Sequence, residues 1–176
     1  MLELIVMTGL PLSGKTTLIR GPLANYVSLP SGLPGEPISH GVITALELLS
    51  RGISVAVDGR HLTSDSRSAW LEAANIAGAC AVSIFLPIDT ATLMARNASQ
   101  SRPLPARSIL LQRRVTVKPR LSEGFVTCIS GNLFGFTAVS RIADVPCVAA
   151  LGITTVSRER NVDIRPELIH AKEVRG

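Results

Sequence analysis

The stretch Gly9-Leu10-Pro11-Leu12-Ser13-Gly14-Lys15-Thr16 constrains this chain more than any other. It spells G-x-x-x-x-G-K-[ST], the pattern of a phosphate-binding loop. Its surroundings fit. Leu2 to Thr8 is a short, apolar, β-branched run that reads as a buried strand, and Thr16 to Arg20 reads as the first turns of a helix. The glycines let the backbone curl so that successive N–H groups converge, and the helix N-terminus adds its dipole. Gly9, Leu12, Ser13, Gly14, Lys15, Thr16 and Thr17 are therefore the candidate nucleotide contacts. Lys15 would reach the β- and γ-phosphates, and the Thr16 hydroxyl would hold Mg²⁺. The competing reading is a glycine-rich turn with Lys15 merely solvated.

At 176 residues the chain suits one domain with room for a real core. Aromatic residues make up only 3% of it against 46% hydrophobic, so that core must be built of Leu, Ile, Val and Ala. No apolar run approaches the roughly 20 residues that span a bilayer, and no signal peptide is evident, so a cytoplasmic protein with no membrane partner is expected. Cys80, Cys128 and Cys147 are scattered and odd in number, which reads as reduced thiols rather than a metal site. The charge is uneven. Residues 96–120 hold Arg96, Arg102, Arg107, Arg113, Arg114, Lys118 and Arg120 with no acid, more than the +5 of the whole chain, so the remainder is net acidic. Such a local cationic segment suits a polyanion, with a solvated face as the plainer alternative.

Along the chain, Gly21-Pro22 breaks the first helix, and Tyr26 to Leu29 is a short second strand. Residues 30–37 form a Pro/Gly loop. Ile38 to Arg51 has helical spacing and stops at Gly52. Ile53 to Val57 is a strand ending in Asp58. A helix capped by Thr63 or Ser64 follows, with Trp70 as core packing. Cys80 to Leu86 is a strong strand, and Asp89 caps the next helix. Pro105 opens another, and Phe125 to Ile129 is a further strand. Pro146 to Ile153 could hold one more, and Asn161 to Gly176 a polar tail or a small docking helix. Strands alternating with helices imply an α/β fold, a parallel sheet with helices on both faces. Ligands then sit beyond the C-terminal strand ends, where both the loop and Asp58 lie.

Asp58 is the first carboxylate after the loop to end an apolar strand. A phosphoryl-transfer site needs an acid there to organise Mg²⁺ or to take the acceptor proton; a turn aspartate is the alternative. Gly9 to Thr17, Val57-Asp58-Gly59-Arg60-His61-Leu62, Arg67, Ala77-Gly78, Arg96-Asn97 and Glu123-Gly124-Phe125 then follow in order. This series resembles the P-loop kinases related to phage-type polynucleotide 5′-hydroxyl kinases, over residues 1–130. The resemblance implies a P-loop kinase fold with a basic lid at about 96–120, leaving residues 131–176 as a C-terminal extension. It implies that Lys15, Asp58, Arg96 and Arg102 are catalytic and that Thr16 and Asp58 serve the metal. Arg60, His61 and Arg67 become substrate-binding candidates, with His61 replacing the asparagine of the family's D-x-N-L.

Two departures stand out. The family's Asp and Arg after the second strand, which deprotonate and grip the acceptor, are missing from Ser28 to Pro34; Glu36, the nearest acid, is a further substrate-binding candidate that could swing in from the Pro/Gly loop, and His40 is the nearest imidazole. The second lid arginine is Gln100, with Arg102 close by. The expected activity is Mg²⁺-dependent transfer of the γ-phosphoryl group of ATP or another NTP to a hydroxyl of a nucleic acid or nucleotide. That hydroxyl would be a 5′ end or, as in kinases of phages with hypermodified DNA, a hydroxymethyl group on a pyrimidine. A small-molecule kinase and a non-catalytic nucleotide-binding module are the alternatives.

Overall fold

The computed structural model describes residues 1–31, 38–132, 134–154 and 156–158. Glu36 and the 161–176 tail lie outside these residues. At the centre runs β1 (Glu3–Thr8), all six of its residues buried. A strand enclosed on both faces must be apolar throughout, which is why Leu4 to Met7 lacks the polar alternation of a half-exposed strand. β3 (Val55–Asp58) and β4 (Cys80–Phe85) flank it in parallel. β2 (Val27–Pro30) is the edge beyond β3, ending in a proline that an interior strand could not accept.

On the other side β5 (Thr127–Asn132) pairs parallel with β4. β6 (Gly135–Ser140) then turns back antiparallel, and β7 (Val156–Arg158) closes the order β2-β3-β1-β4-β5-β6-β7. The sheet is thus seven-stranded and mostly parallel, with one hairpin the sequence pattern did not reveal. β5 starts two residues later than expected, because Phe125 is spent on the core before the strand begins.

The helices are α1 (Lys15–Arg20), α2 (Ile38–Ser50), α3 (Asp65–Ile76), α4 (Thr90–Ala98), α5 (Ala106–Arg114) and α6 (Pro146–Ala150). The last replaces the strand expected at Pro146 to Ile153: proline is favoured in a first helical turn, where its missing N–H costs nothing. Alternate strand residues serve opposite cores. Ile5, Met7, Ala56, Val82, Ile84 and Ile129 pack with Leu18, Ile19 and Leu23 of the α1 region and Cys147 of α6. Leu4, Val6, Val55 and Val57 pack with Ala45 and Leu49 of α2 and Trp70 and Ala74 of α3. Buried Glu3 accepts hydrogen bonds from the Tyr26 hydroxyl and, at 3.4 Å, the Cys147 backbone N–H, which fastens α6 to β1. Among the described residues no helix is long and apolar enough to cross a membrane.

Candidate phosphate and phosphoryl-transfer site

The Gly9–Thr16 loop leaves β1 with three left-handed residues: Gly9 at φ 154°, Leu12 at 62° and Gly14 at 101°. Gly9 has a second reason to be glycine, since a Cβ there would lie 2.9 Å from Ser13 Oγ and 3.0 Å from the Leu86 carbonyl oxygen. The curled loop closes around its own lysine. Lys15 Nζ donates to the carbonyls of Gly9 (2.9 Å) and Leu10 (2.7 Å) and to Ser13 Oγ (3.3 Å), with 8% of the residue exposed. Burial lowers its pKa from the usual 10.5 to about 8; the Asp58 charge opposes the shift and Arg60 adds to it.

Asp58 meets this loop because β3 lies beside β1 in register, Val57 opposite Val6. Thr16, in the first turn of α1, donates its hydroxyl to Asp58 Oδ2 at 2.8 Å, and Thr17 beside it is exposed. The next turn is also tied in, by the Gly9 N–H donating to the Arg60 carbonyl at 3.0 Å. No cluster of three or more His, Cys, Asp or Glu is present among the described residues. A hydroxyl and a carboxylate in contact are nevertheless the hard oxygen pair that fits Mg²⁺, which completes its octahedron with water and substrate phosphates rather than with a protein cage.

The basic segment sits over the loop. Leu10 and Leu12 pack with Leu62, Leu93, Met94 and Ile109, which seats α4 and α5 against it. Arg96 donates Nη1 to the Leu12 carbonyl at 2.8 Å, Arg113 to the Ile88 carbonyl at 2.7 Å, and Arg60 to Gln112 Oε1 at 3.0 Å. Asn97 brackets residue 104 from both sides, its amide donating to the Leu104 carbonyl at 2.8 Å and its oxygen accepting the Leu104 N–H at 2.9 Å. That clamp fixes the turn carrying Arg102, which is exposed. Asn97 and Gln112 thus brace the candidate site, a part that the sequence does not announce. The Arg96-Asn97 pair was visible, but the bracketing depends on where the chain turns.

Arg67 corrects an expectation. It is wholly buried, and its guanidinium is used within the protein. Nε and Nη2 donate to the two Glu123 carboxylate oxygens, each at 2.8 Å, and Nη1 to the carbonyls of His61 (2.8 Å) and Val117 (3.1 Å). It is a structural tie, not a substrate contact. His61 is 6% exposed at φ 40°, its ring stacked on Trp70 with centroids 5.6 Å apart, and neither ring nitrogen has a hydrogen-bond partner among the described residues. Burial, helped by the Arg67 and Lys15 charges, lowers its pKa to about 4, so it is neutral at pH 7. It stands beneath the site rather than on its surface. A cap at Thr63 holds this turn: the Thr63 and Ser66 side chains each accept the other's backbone N–H at 3.2 Å, and Ser64 makes no side-chain cap.

No family model and no curated protein matches the chain. Solved structures do. Kti12 from Chaetomium thermophilum, solved with ADP-AlF3, matches at TM-score 0.51 and 15% identity, over 68% of this chain and 82% of that one. The likeness is one of fold, an α/β arrangement around a mostly parallel sheet. A candidate kinase from Chloroflexus aurantiacus is a looser match, at TM-score 0.46 and 19% identity over 65% of this chain and 78% of that one. Both likenesses concern the arrangement of strands and helices, and both stop short of a shared sequence family.

Proposed function

We propose that this protein is a Mg²⁺-dependent kinase that transfers the γ-phosphoryl group of ATP or another NTP to a hydroxyl of a nucleic acid or nucleotide. The observation that carries this reading is the 2.8 Å contact between Thr16 Oγ1 and Asp58 Oδ2, directly beside a loop that already buries a lysine. A phosphate cradle alone would bind a nucleotide; a carboxylate at its mouth adds what transfer requires. Kti12, whose fold is similar, was solved with ADP-AlF3, which supports a nucleotide here as well.

Lys15 and the loop N–H groups would hold the β- and γ-phosphates, and Thr16 and Asp58 would hold Mg²⁺, whose contribution is charge neutralisation. The acceptor oxygen attacks the γ-phosphorus, the bond to the β–γ bridging oxygen breaks, and NDP leaves with that electron pair. The acceptor proton passes to Asp58, whose second carboxylate oxygen is not engaged by Thr16. Arg96 and Arg102 would offset the charge that spreads over the equatorial oxygens, the largest protein contribution in such reactions.

The test offers γ-labelled ATP and GTP to 5′-hydroxyl DNA, 5′-hydroxyl RNA, DNA carrying hydroxymethylpyrimidine, and free nucleosides. Label should enter a nucleic acid in the wild type and be absent from Lys15→Ala. Label in nucleosides alone would make this a small-molecule kinase, and nucleotide binding without transfer to any acceptor would make it a binding module.

A further inference from the structure

β4, β5 and β6 carry an open trough on the sheet face opposite α1 and α6. Strand registers place Phe85, Ser130 and Thr137 in one row across that face, and Cys128 and Val139 in the next. The side wall is the segment 118–122, and the floor and wall enclose about 310 Å³. Phe85 also lines a second cavity of about 210 Å³ with Leu10 of the phosphate loop and Arg113. The two cavities share the Phe85 side chain, which places the second between the trough and the phosphate loop. Arg113, Lys118, Arg120 and Arg141 line the two cavities, and among the described residues no acid does.

The wall is built, not loose. The Val117 N–H donates to the Leu62 carbonyl at 2.7 Å, while its own carbonyl accepts from Arg67. The Arg120 N–H donates to Glu123 Oε1 at 3.1 Å, the carboxylate that also grips Arg67. Buried Arg67 thus fixes the backbone from which Lys118 and Arg120 project. A floor of Phe85, Cys128 and Val139 with two hydroxyls, bordered by cations on a fixed backbone, complements a chain of flat bases joined by phosphates.

We propose that this trough binds single-stranded nucleic acid, with phosphates along Arg113, Lys118 and Arg120 and a base on the Phe85–Val139 floor. A strand seated there would run past Phe85 towards the phosphate loop. The assignment builds on the kinase reading, but strand binding is measured separately from transfer.

Fluorescence anisotropy of a labelled 20-nucleotide DNA is read against salt for the wild-type full chain. Lys118→Glu/Arg120→Glu should raise Kd at least about tenfold at 0.1 M salt and make the log–log salt slope shallower by about 1.4, at roughly 0.7 per single-strand phosphate lost. Arg51→Glu/Arg158→Glu, an equal charge change elsewhere, should have a much smaller effect, and Thr137→Trp should weaken binding by filling the floor. A 4-thiothymidine oligonucleotide should crosslink within residues 85 and 118–141. Equal weakening by both charge pairs, displacement by polyglutamate as effective as by DNA, or crosslinks confined elsewhere would overturn the proposal. Transfer to nucleosides without strand binding would remove the trough and keep the kinase; strand binding without any transfer would do the reverse.

Discussion

Lys15 and Arg67 are both buried cations, and they are buried in opposite ways. Arg67 has a bidentate carboxylate and two carbonyls, so its charge and its donors are matched within the protein. Lys15 has two carbonyls and a hydroxyl, with Asp58 near enough to act on it electrostatically but not paired with it. Its lowered pKa records that mismatch. A charge held in a dry place without a counter-ion is what a phosphate can complete; a charge already paired holds the frame. Two residues alike in burial are therefore unlike in purpose.

The largest effects should separate them. Lys15→Ala should lower phosphoryl transfer by about 10²–10³-fold, the range for losing a principal transition-state donor, while the thermal unfolding midpoint barely moves. Arg67→Ala should do the converse. It leaves the partly buried Glu123 carboxylate without its partner and two buried carbonyls without a donor, a loss of about 3 kcal/mol, or roughly 10 °C in the unfolding midpoint of a chain this size. Arg67→Met with Glu123→Leu should recover much of that loss, because the unpaired carboxylate is gone. If Lys15→Ala instead collapsed the fold, or Arg67→Ala removed activity from a fully stable protein, the contrast would fail.

Asp58→Asn comes next. It keeps the hydrogen bond from the Thr16 hydroxyl but removes the negative charge, so turnover should fall by about 10²-fold or more while nucleotide affinity changes little. Single-turnover rates beside equilibrium nucleotide binding would measure the two parts. An unchanged rate would move the chemistry to another acid, and Glu36 is the first to substitute.

The same contrast explains what could be read in advance. The loop, the acid at the end of β3 and the parallel alternation were legible because each is local: a motif, a strand end, a period. Asp89 was readable as a cap for the same reason, and its carboxylate does accept the Thr92 N–H at 2.8 Å. Arg67 and Glu123 lie 56 residues apart in the chain, and nothing near either names its partner. Arg67 read as a substrate contact because arginines near a phosphate loop serve that use, and only burial distinguishes the two. The β5–β6 hairpin was hidden because β6 exposes Val139 and buries Ser140, so its regular alternation in burial has no matching apolar alternation in the sequence, and α6 because a run of Val and Ala fits helix or strand until its proline finds a first turn.

The smallest effect turns on pH and tests whether the mismatch at Lys15 is real. In the free protein Lys15 loses its proton near pH 8, well below its ordinary 10.5. The kcat/KM for NTP, which reports the free enzyme, should fall as pH rises through about 8 and be roughly tenfold lower by pH 9. Stability should run the other way. Between the folded and unfolded pKa values the unfolded chain binds more protons at this residue, so Lys15 makes folding more favourable as pH rises from about 8 towards 10. Lys15→Arg keeps its charge throughout, so it should lose both trends even where its absolute rate is lower. A wild-type profile with no alkaline limb below pH 10 would place Lys15 beside Arg67, as a cation the protein has already satisfied.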